Sequence, residues 1–385
     1  MDSQHVIDTF LDFFTSRDHR RLTGTSLLPP PGDPVLFTTS GMHPLTPFLE
    51  GQPHPLGDRL VNVQRCLRTT DLDEIGDSRH LTVFEMLGSW SLRSYQGPQS
   101  LRWGYELLCG GFGVDPRLLH VTVFGGDDQV GPDTGSLDTW TSLGVPVELT
   151  GSENWWSNGP TGPCGPDSEV FVWTGDGPST GTPTTDERWV EVWNHVMMRY
   201  RRHPDGSLTP LCDSTVDTGM GLERLLMVLQ GKRSVFETDL LSPWVRGLPW
   251  DLPESRLVVD HLRSSVVVIG DGVRPSNTGR GYVLRRLLRR TLTTLWRDDD
   301  TRTLLDLPET LVRGTLLHFG QESGQVFEVL GEEERRFRSL VSRGRDLVSR
   351  YPEPLTEQDF RYLHETHGIP RDLVVLLQDL PGSRH

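Results

Sequence analysis

The sequence predicts an α+β chain, an antiparallel sheet followed by a helical region, and three observations carry that expectation. Apolar residues alternate with period two in stretches spread over the first two-thirds of the chain. Two of those stretches are joined by a polar connection too short for a comfortable helical crossover. Beyond a proline-broken stretch at 241–253 the apolar period becomes helical.

The first expected strand, 60–68, alternates Val61, Val63 and Arg65 against Asn62, Gln64, Cys66 and Arg68. The second, 83–92, places Phe84, Met86, Gly88 and Trp90 on one face, and the linking segment 69–82 makes the pair a long-looped antiparallel hairpin. Segments 125–135 and 174–185, rich in glycine and proline, read as loops. A third strand, 188–199, places Val190, Val192, Asn194, Val196 and Met198 on one face. The run Val216-Asp217-Thr218-Gly219-Met220-Gly221-Leu222-Glu223-Arg224 then enters an amphipathic helix with an expected buried stripe of Leu222, Leu225, Leu226 and Leu229.

Pro243, Pro249 and Pro253 mark the candidate boundary and divide the chain into domains at 1–245 and 254–385. In the second, 282–296 sets Leu284, Leu288, Leu292 and Leu295 near one stripe, with Arg285, Arg286, Arg289 and Arg290 mostly elsewhere. Residues 332–349 form another charged helix, and the acidic run Asp298 to Asp300 ends the element before it.

At 385 residues the chain can bury a large core, and its formal charge of −15 argues against nucleic-acid binding driven by overall charge. Any RNA contact must come from a local basic surface. Lys232 is the only lysine, so a phosphate site must use arginine or backbone amides. Cys66, Cys109, Cys164 and Cys212 are scattered, without CxxC, CxxxH or HExxH spacing, so no zinc site is expected and a reduced, cytoplasmic chain is the simplest reading. Residues 1–11 carry Asp2 and Asp8 and lack the basic start and apolar run of a signal peptide. No stretch reaches the ~20 apolar residues that cross a bilayer, and no membrane partner is expected.

The run at Val216 carries the chemistry. A carboxylate can hold an ammonium, glycines let a ligand approach the backbone, and an arginine fork suits phosphate oxygens. Together they suggest an amino acid beside a nucleotide, with an ordinary helix start and a surface arginine as the alternative. Other nucleotide motifs do not fit: Gly231-Lys232-Arg233 lacks the upstream glycine and the following Ser/Thr of a P-loop, and Arg224 stands where a dinucleotide fingerprint needs its third glycine. No Gly-x-Ser-x-Gly elbow supports a serine hydrolase.

Several collinear segments resemble one family, the alanyl-tRNA synthetases of class II. They are Phe37-Thr38-Thr39-Ser40-Gly41-Met42, Gln64-Arg65-Cys66-Leu67-Arg68-Thr69 continuing to Gly76, Arg79-His80, and Phe84-Glu85-Met86. Next come Asn154-Trp155-Trp156, Gly162-Pro163-Cys164-Gly165-Pro166-Asp167-Ser168-Glu169, Glu191-Val192-Trp193-Asn194, and the run at Val216. Asp260-His261-Leu262-Arg263-Ser264, Pro275-Ser276-Asn277-Thr278-Gly279-Arg280-Gly281-Tyr282-Val283-Leu284-Arg285-Arg286 and Gly368-Ile369-Pro370-Arg371-Asp372-Leu373 complete the set.

The resemblance implies a six-stranded antiparallel sheet flanked by helices as the catalytic, adenylating domain, then a helical domain that receives the tRNA acceptor stem. It also implies the reaction. The carboxylate of alanine, or of another small α-amino acid, attacks the α-phosphate of ATP in the presence of Mg²⁺, pyrophosphate leaves, and the tRNA's terminal adenosine takes the acyl group. By position, Arg68 would meet the α-phosphate and substrate carboxylate, and Arg224 the ATP phosphates. Asp217 would bind the ammonium, Trp156, Asn194 and Val196 would line the amino-acid pocket, and Gly219 would permit close approach. His80, Phe84 and Met86 would contact ATP, His80 having a solvated loop histidine as its alternative. Cys164, in what reads as a Gly/Pro loop, is structural on this reading. Arg280, Arg285, Arg286, Arg289 and Arg290 offer a basic patch for tRNA phosphates or, equally, a solvated helix face. The Mg²⁺ ligands are not named by any motif.

The chain also departs from the family's pattern. It stops before the zinc-bearing proofreading domain and the C-terminal segment, which implies a form that does not clear mischarged serine or glycine. Asp77 stands where a lysine is common, and Thr39 and Ser40 replace the usual Asn and Ala. Trp296 and Glu365 fall where the family presents an asparagine and an aspartate to the acceptor stem, and an indole cannot accept a hydrogen bond. Two other readings therefore stand beside a minimal alanine-tRNA ligase: an enzyme handing the aminoacyl group to a carrier-protein thiol or a small-molecule amine, and a noncatalytic paralogue binding tRNA or an amino acid.

Overall fold

The computed structural model describes the chain except residues 31–32, 34, 71, 73, 158, 298, 323, 352–354, 368, 370 and 380–385. Asp298, and Gly368 and Pro370 of the last motif, therefore lie outside the described residues. The chain divides into two compact units, Met1–Arg68 with Phe84–Ser242, and Thr69–Val83 with Pro243–His385.

Among the described residues the first unit holds a sheet of nine strands. These are β1 (Arg20–Arg21), β2 (Arg59–Leu67), β3 (Val83–Ser91), β4 (Leu119–Phe124), β5 (Val147–Thr150), β6 (Trp155–Ser157), β7 (Gly162–Trp173), β8 (Trp189–Arg202) and β9 (Leu208–Gly221). Their order is β1-β2-β3-β9-β8-β7-β4-β5, with β6 added to β7. From β3 through β9, β8 and β7 to β4 every pairing is antiparallel. The expected antiparallel α+β class holds, and β2 and β3 are neighbours. The sheet is wider than six strands because both edges gain a parallel strand, β1 on β2 and β5 on β4. The helix Thr134–Ser142 supplies the crossover that the parallel β4–β5 pair requires.

Two segments depart from the sequence reading. The supposed loop at Cys164 is the start of β7, where glycine and proline sit beside a register shift between Cys164 and Asp167 rather than in a turn. A second shift, between Val170 and Phe171, breaks the alternation of β8. Glu191 pairs with Phe171 while Asn194 pairs with Glu169, so Glu191 joins Asn194's face and Val190 and Val192 leave it.

Helices cover one face of the sheet. Phe10 and Phe14, from the helix Ser3–Thr15, pack on Trp193 at ring distances of 6.1 and 6.3 Å. The helix Gly97–Glu106 comes closer because it turns a glycine inward: a Cβ on Gly104 would lie 2.8 Å from His195 Nε2. Ser100 Oγ and His195 Nδ1 are 2.9 Å apart, and burial drives the His195 imidazole down to about 3, so it is neutral. The helix Leu222–Leu229 follows β9 directly and buries Leu222, Leu225 and Leu226 as expected. Met227 is buried with them, whereas Leu229 is half-exposed beside the chain reversal at Gly231 (φ 60°).

The second unit is helical: Leu252–Gly270, Gly279–Trp296, Glu309–His318, Val326–Val348, Glu357–His367 and Arg371–Asp379. The stripe Leu284, Leu288, Leu292 and Leu295 is buried as its spacing predicts. The segment Thr69–Val83 is held by backbone-directed bonds from these helices. Arg290 donates to the Leu72 carbonyl (2.6 Å), Arg256 to that of Asp77 (3.0 Å) and Arg263 to that of Val83 (2.6 Å). Asp260 accepts from the Thr82 amide (2.8 Å) and hydroxyl (2.6 Å). Among the described residues no helix is long and apolar enough to cross a membrane.

Two arginines of the helix Gly279–Trp296 are tied to an acidic partner on another helix of this unit. Arg285 and Arg289 converge on Glu333, at 2.9 and 3.3 Å, and Glu333 is only 1% exposed. Replacing Glu333 by alanine leaves two guanidinium groups facing each other over a buried gap. We expect Glu333→Ala to cost about 3 kcal/mol, read as a lowered melting temperature; an unchanged melt would show that the ion pairs carry no stability.

Candidate active site

The site is built on the sheet face opposite the covering helices. In register, β3 contributes Met86, Gly88 and Trp90, and β9 contributes Gly221, Gly219 and Asp217 directly across from them. On the far side of β9, Asn194 and Val196 of β8 stand opposite Gly219 and Asp217. Beyond β8, Glu169 and Asp167 of β7 stand opposite Asn194 and Val196. Residues facing one another in a ladder share a face, so all of these belong to one surface.

Glycines shape its floor. A Cβ on Gly88 would lie 2.1 Å from the Trp90 ring, so that indole lies along the strand only because position 88 has no side chain. Gly219, paired with Gly88, could not carry a Cβ without meeting Met86 Sδ at 2.8 Å. The two glycines thus let Trp90 and Met86 lie flat against the strands beside Asp217. Gly41 closes over the same tryptophan, 3.0 Å from it at the Cβ position, and its amide donates to Met86 Sδ at 3.2 Å.

Lying flat, Trp90 directs Nε1 at Asp217, donating to Oδ1 at 2.6 Å. Asp217 is 7% exposed, and among the described residues no arginine, lysine or histidine pairs with it. Burial pushes its carboxyl from 3.8 up to about 7, with the Trp90 bond opposing that rise. The group is thus a buried acid lacking the cation that would ionise it.

Next to it, Asn194 Oδ1 is buried without a hydrogen-bond partner, while the Asn194 amide hydrogen-bonds to Asp167. Val196 and Trp90 belong to an apolar cluster with Met42, Leu45 and Leu49, against which Trp156 packs. Trp155 turns elsewhere, its ring 5.1 Å from Phe124 and 5.8 Å from Tyr200, so Trp156 is the indole on the Val196 side.

The cationic groups lie toward Phe84 and the start of the helix Leu222–Leu229. Arg68 rests 5.1 Å over the Phe84 ring and donates through Nε to the Thr39 carbonyl (3.2 Å). Arg224 is paired with Glu191 at 2.8 Å, both about one-third exposed. Glu169 lies beside them; burial, then the neighbouring Glu191 and Asp167 charges, push its carboxyl well up. The Glu223 carboxylate is buried and accepts from the Glu85 amide through both oxygens, at 3.1 and 3.2 Å, which anchors the helix start to β3. Among the described residues no three His, Cys, Asp or Glu side chains are grouped as a metal cage.

Several other expected residues belong to the second unit. His80 belongs to the second unit, where it is held by Asp77 (2.7 Å) and Glu74 (3.3 Å). Asp77, at the position read as a lost lysine, instead caps this loop by accepting from the Arg79 and His80 amides. Arg280 and Arg286 are half-buried and, with Arg285 and Arg289, lie on the helix Gly279–Trp296 of that unit. Trp296 is 1% exposed, stacked on Phe337 at 5.3 Å and donating to the Arg302 carbonyl (2.8 Å), so its indole is a core group with no edge to offer a nucleic acid. Cys164 is fully buried, and burial pushes its thiol up, as a structural cysteine requires. Sequence reasoning placed Trp90 on the face of Phe84 and Met86 by alternation but gave it no role, and it assigned none to Asn154, Asp167, Glu169 or Glu191, although their segments carried the resemblance.

Comparison with known proteins identifies a family. The family model for class II tRNA synthetases (A) matches residues 5–382. Alanine–tRNA ligase of Treponema pallidum is 39% identical over 412 residues, spanning 97% of this chain and 68% of that protein. The Treponema denticola enzyme of the same name is 43% identical over 74% of this chain and 51% of its own length. That of Borreliella afzelii is 36% identical over 94% and 67%. The chain thus spans between about half and two-thirds of the length of these relatives. With a family model matched along almost its whole length and a relative of 39% identity, this chain belongs to the class II tRNA synthetases, on the alanine–tRNA ligase branch.

Proposed function

We propose that the chain activates alanine with MgATP to alanyl-adenylate and pyrophosphate, and passes the alanyl group to the acceptor end of a tRNA. One observation carries this reading: Asp217 is a buried carboxylate with an indole donor and, among the described residues, no cation, placed beside an unpaired Asn194 carbonyl oxygen. An α-ammonium supplies what both lack. It brings the positive charge that ionises Asp217 and donors for Asn194 Oδ1. Trp156 and Val196 bound the side-chain end, which suits a methyl group better than a long chain.

Oriented by its ammonium, the substrate carboxylate attacks the α-phosphorus. One carboxylate oxygen forms the new P–O bond as the bond to the pyrophosphate oxygen breaks. Negative charge grows on the phosphate oxygens, and Arg68 and Arg224 are the guanidinium groups available to stabilise it more in the transition state than before it. Phe84 and Met86, on the same face of β3, supply apolar surface for the nucleoside. The Mg²⁺ that accompanies ATP would be held mainly by phosphates and water, with one or two carboxylates on the protein side. Glu191, paired with Arg224, and Glu169 beside it would supply them.

In this reading residues 1–245 form the adenylating domain and residues 254–385 meet the acceptor stem, with Arg280, Arg285, Arg286 and Arg289 as candidate phosphate contacts. The relatives' shared name, Alanine–tRNA ligase, supports tRNA as the acceptor. Trp296 supports no base reading, so recognition of the acceptor must come from other side chains.

Alanine-dependent ATP–pyrophosphate exchange tests activation, and charging of alanine tRNA tests the acceptor. Activity in the first assay with failure in the second would move the acyl group to another recipient. Exchange by no small amino acid would leave only a binding protein. Arg224→Ala should lower the exchange kcat at least ~100-fold while calorimetry shows alanine still bound; lost alanine binding would place Arg224 elsewhere in the scheme.

Asp217 also makes a pH prediction. Its carboxyl is released at about 3.8 when solvated and at about 7 in the fold, so the folded chain alone holds the proton between those values. That contribution favours folding below about 4 and is lost as the pH rises to about 7. Asp217→Asn should therefore melt at least as high as the parent at pH 8 while losing alanine-dependent exchange. A lower melt at pH 8 with exchange intact would reject Asp217 as the ammonium anchor.

A further inference from the structure

We infer that Asp167 is a positioning residue that ties the two polar walls of the amino-acid pocket together, and so sets its width and its discrimination among small amino acids. The inference rests on the alanine-activation reading above.

Asp167 is only 2% exposed and sits in β7 opposite Val196, on the opposite flank of that residue from Asp217. It accepts from two side-chain amides. Asn154 Nδ2 donates to Oδ1 at 2.7 Å, and Asn194 is its second side-chain donor. Asn154 is itself 0% exposed and takes a hydrogen bond on Oδ1 from the Thr150 hydroxyl. A connected buried chain therefore runs from β5 through Asn154 and Asp167 to β8.

Each link has a consequence at the pocket. Asn154 lies two residues before Trp156, immediately ahead of the three-residue strand β6, so gripping Asn154 fixes the segment that delivers the Trp156 indole. On the other wall, giving its NH₂ to Asp167 leaves Asn194 with Oδ1 as the outward acceptor, which is the atom found buried and unpartnered. Were the amide reversed, Asn194 would present donors to an ammonium and repel it. A carboxylate is the only side chain of this size that accepts from two amides at once without offering a donor. The same burial, followed by these two hydrogen bonds acting in the opposite sense, leaves the Asp167 carboxyl raised to about 7.

Asp167 touches no substrate in this scheme. Its effect must appear in binding and selectivity rather than in the chemical step. In ATP–pyrophosphate exchange, Asp167→Ala should raise the KM for alanine about 10-fold or more with kcat changed less than about 3-fold. The preference for alanine over 2-aminobutyrate, one methylene larger and worth about 10–200-fold in a shaped pocket, should shrink several-fold. Asp167→Asn keeps the volume and one acceptor oxygen and should lie between the two. Asn154→Ala should reproduce the selectivity change, and the Asn154→Ala/Asp167→Ala pair should be less than additive.

A cooperative thermal melt establishes that each variant folds; if Asp167→Ala has none, Asp167→Asn decides. Unchanged alanine KM and unchanged selectivity in a folded variant would overturn the inference. So would a fall in kcat alone, which is the mark of a merely structural role. Absence of exchange in the parent chain would instead reject the activation reading, so the two failures are distinguishable.

Discussion

A buried carboxylate that has an indole for a partner, and no cation among the described residues, is the constraint on which the site depends. Asp217 reaches Trp90 only because Gly88 vacates the space under the ring, and Gly219 gives the same room to Met86 on the facing strand. On the proposed activation reading, the attraction of an incoming ammonium offsets the desolvation that raises the Asp217 carboxyl, so the same side chain enters both stability and recognition.

Around that anchor the charges are arranged by strand register. The shift between Val170 and Phe171 turns Glu191 onto the same face as Asn194 and Glu169, concentrating carboxylates on β7 and β8. Arg224, delivered by the helix that β9 runs into, neutralises one of them. Asp167 lies deeper and is satisfied by amides rather than by a cation. The surface is therefore graded, acidic around Asp217 and mixed in charge around Arg224 and Glu191.

The second unit spends its arginines differently. Arg285 and Arg289 are drawn inward by Glu333, and Arg256, Arg263 and Arg290 hold carbonyls of the Thr69–Val83 segment. In a chain of net charge −15 these residues act first as internal struts. A basic helix read from sequence is thus not equivalent to a basic surface, because the acidic partner can come from a helix forty residues away.

Local sequence by itself pointed to strands at 60–68, 83–92 and 188–199, found at 59–67, 83–91 and 189–202, to helices entered near 222 and over 282–296, the latter found at 279–296, and to the antiparallel α+β class, since period and glycine placement are properties of neighbours along the chain. It also singled out Asp217, Gly219 and Asn194, and it placed Asn194 and Val196 on one face because they are two apart. Only tertiary structure decided that Trp90 caps Asp217, that Asp167 holds both Asn154 and Asn194, that Glu191 rather than Val192 joins the face, and that Trp296 is core. Each of those depends on a strand register, a bulge or a partner far along the chain, and pairing across a sheet leaves no periodic trace in the residues it brings together.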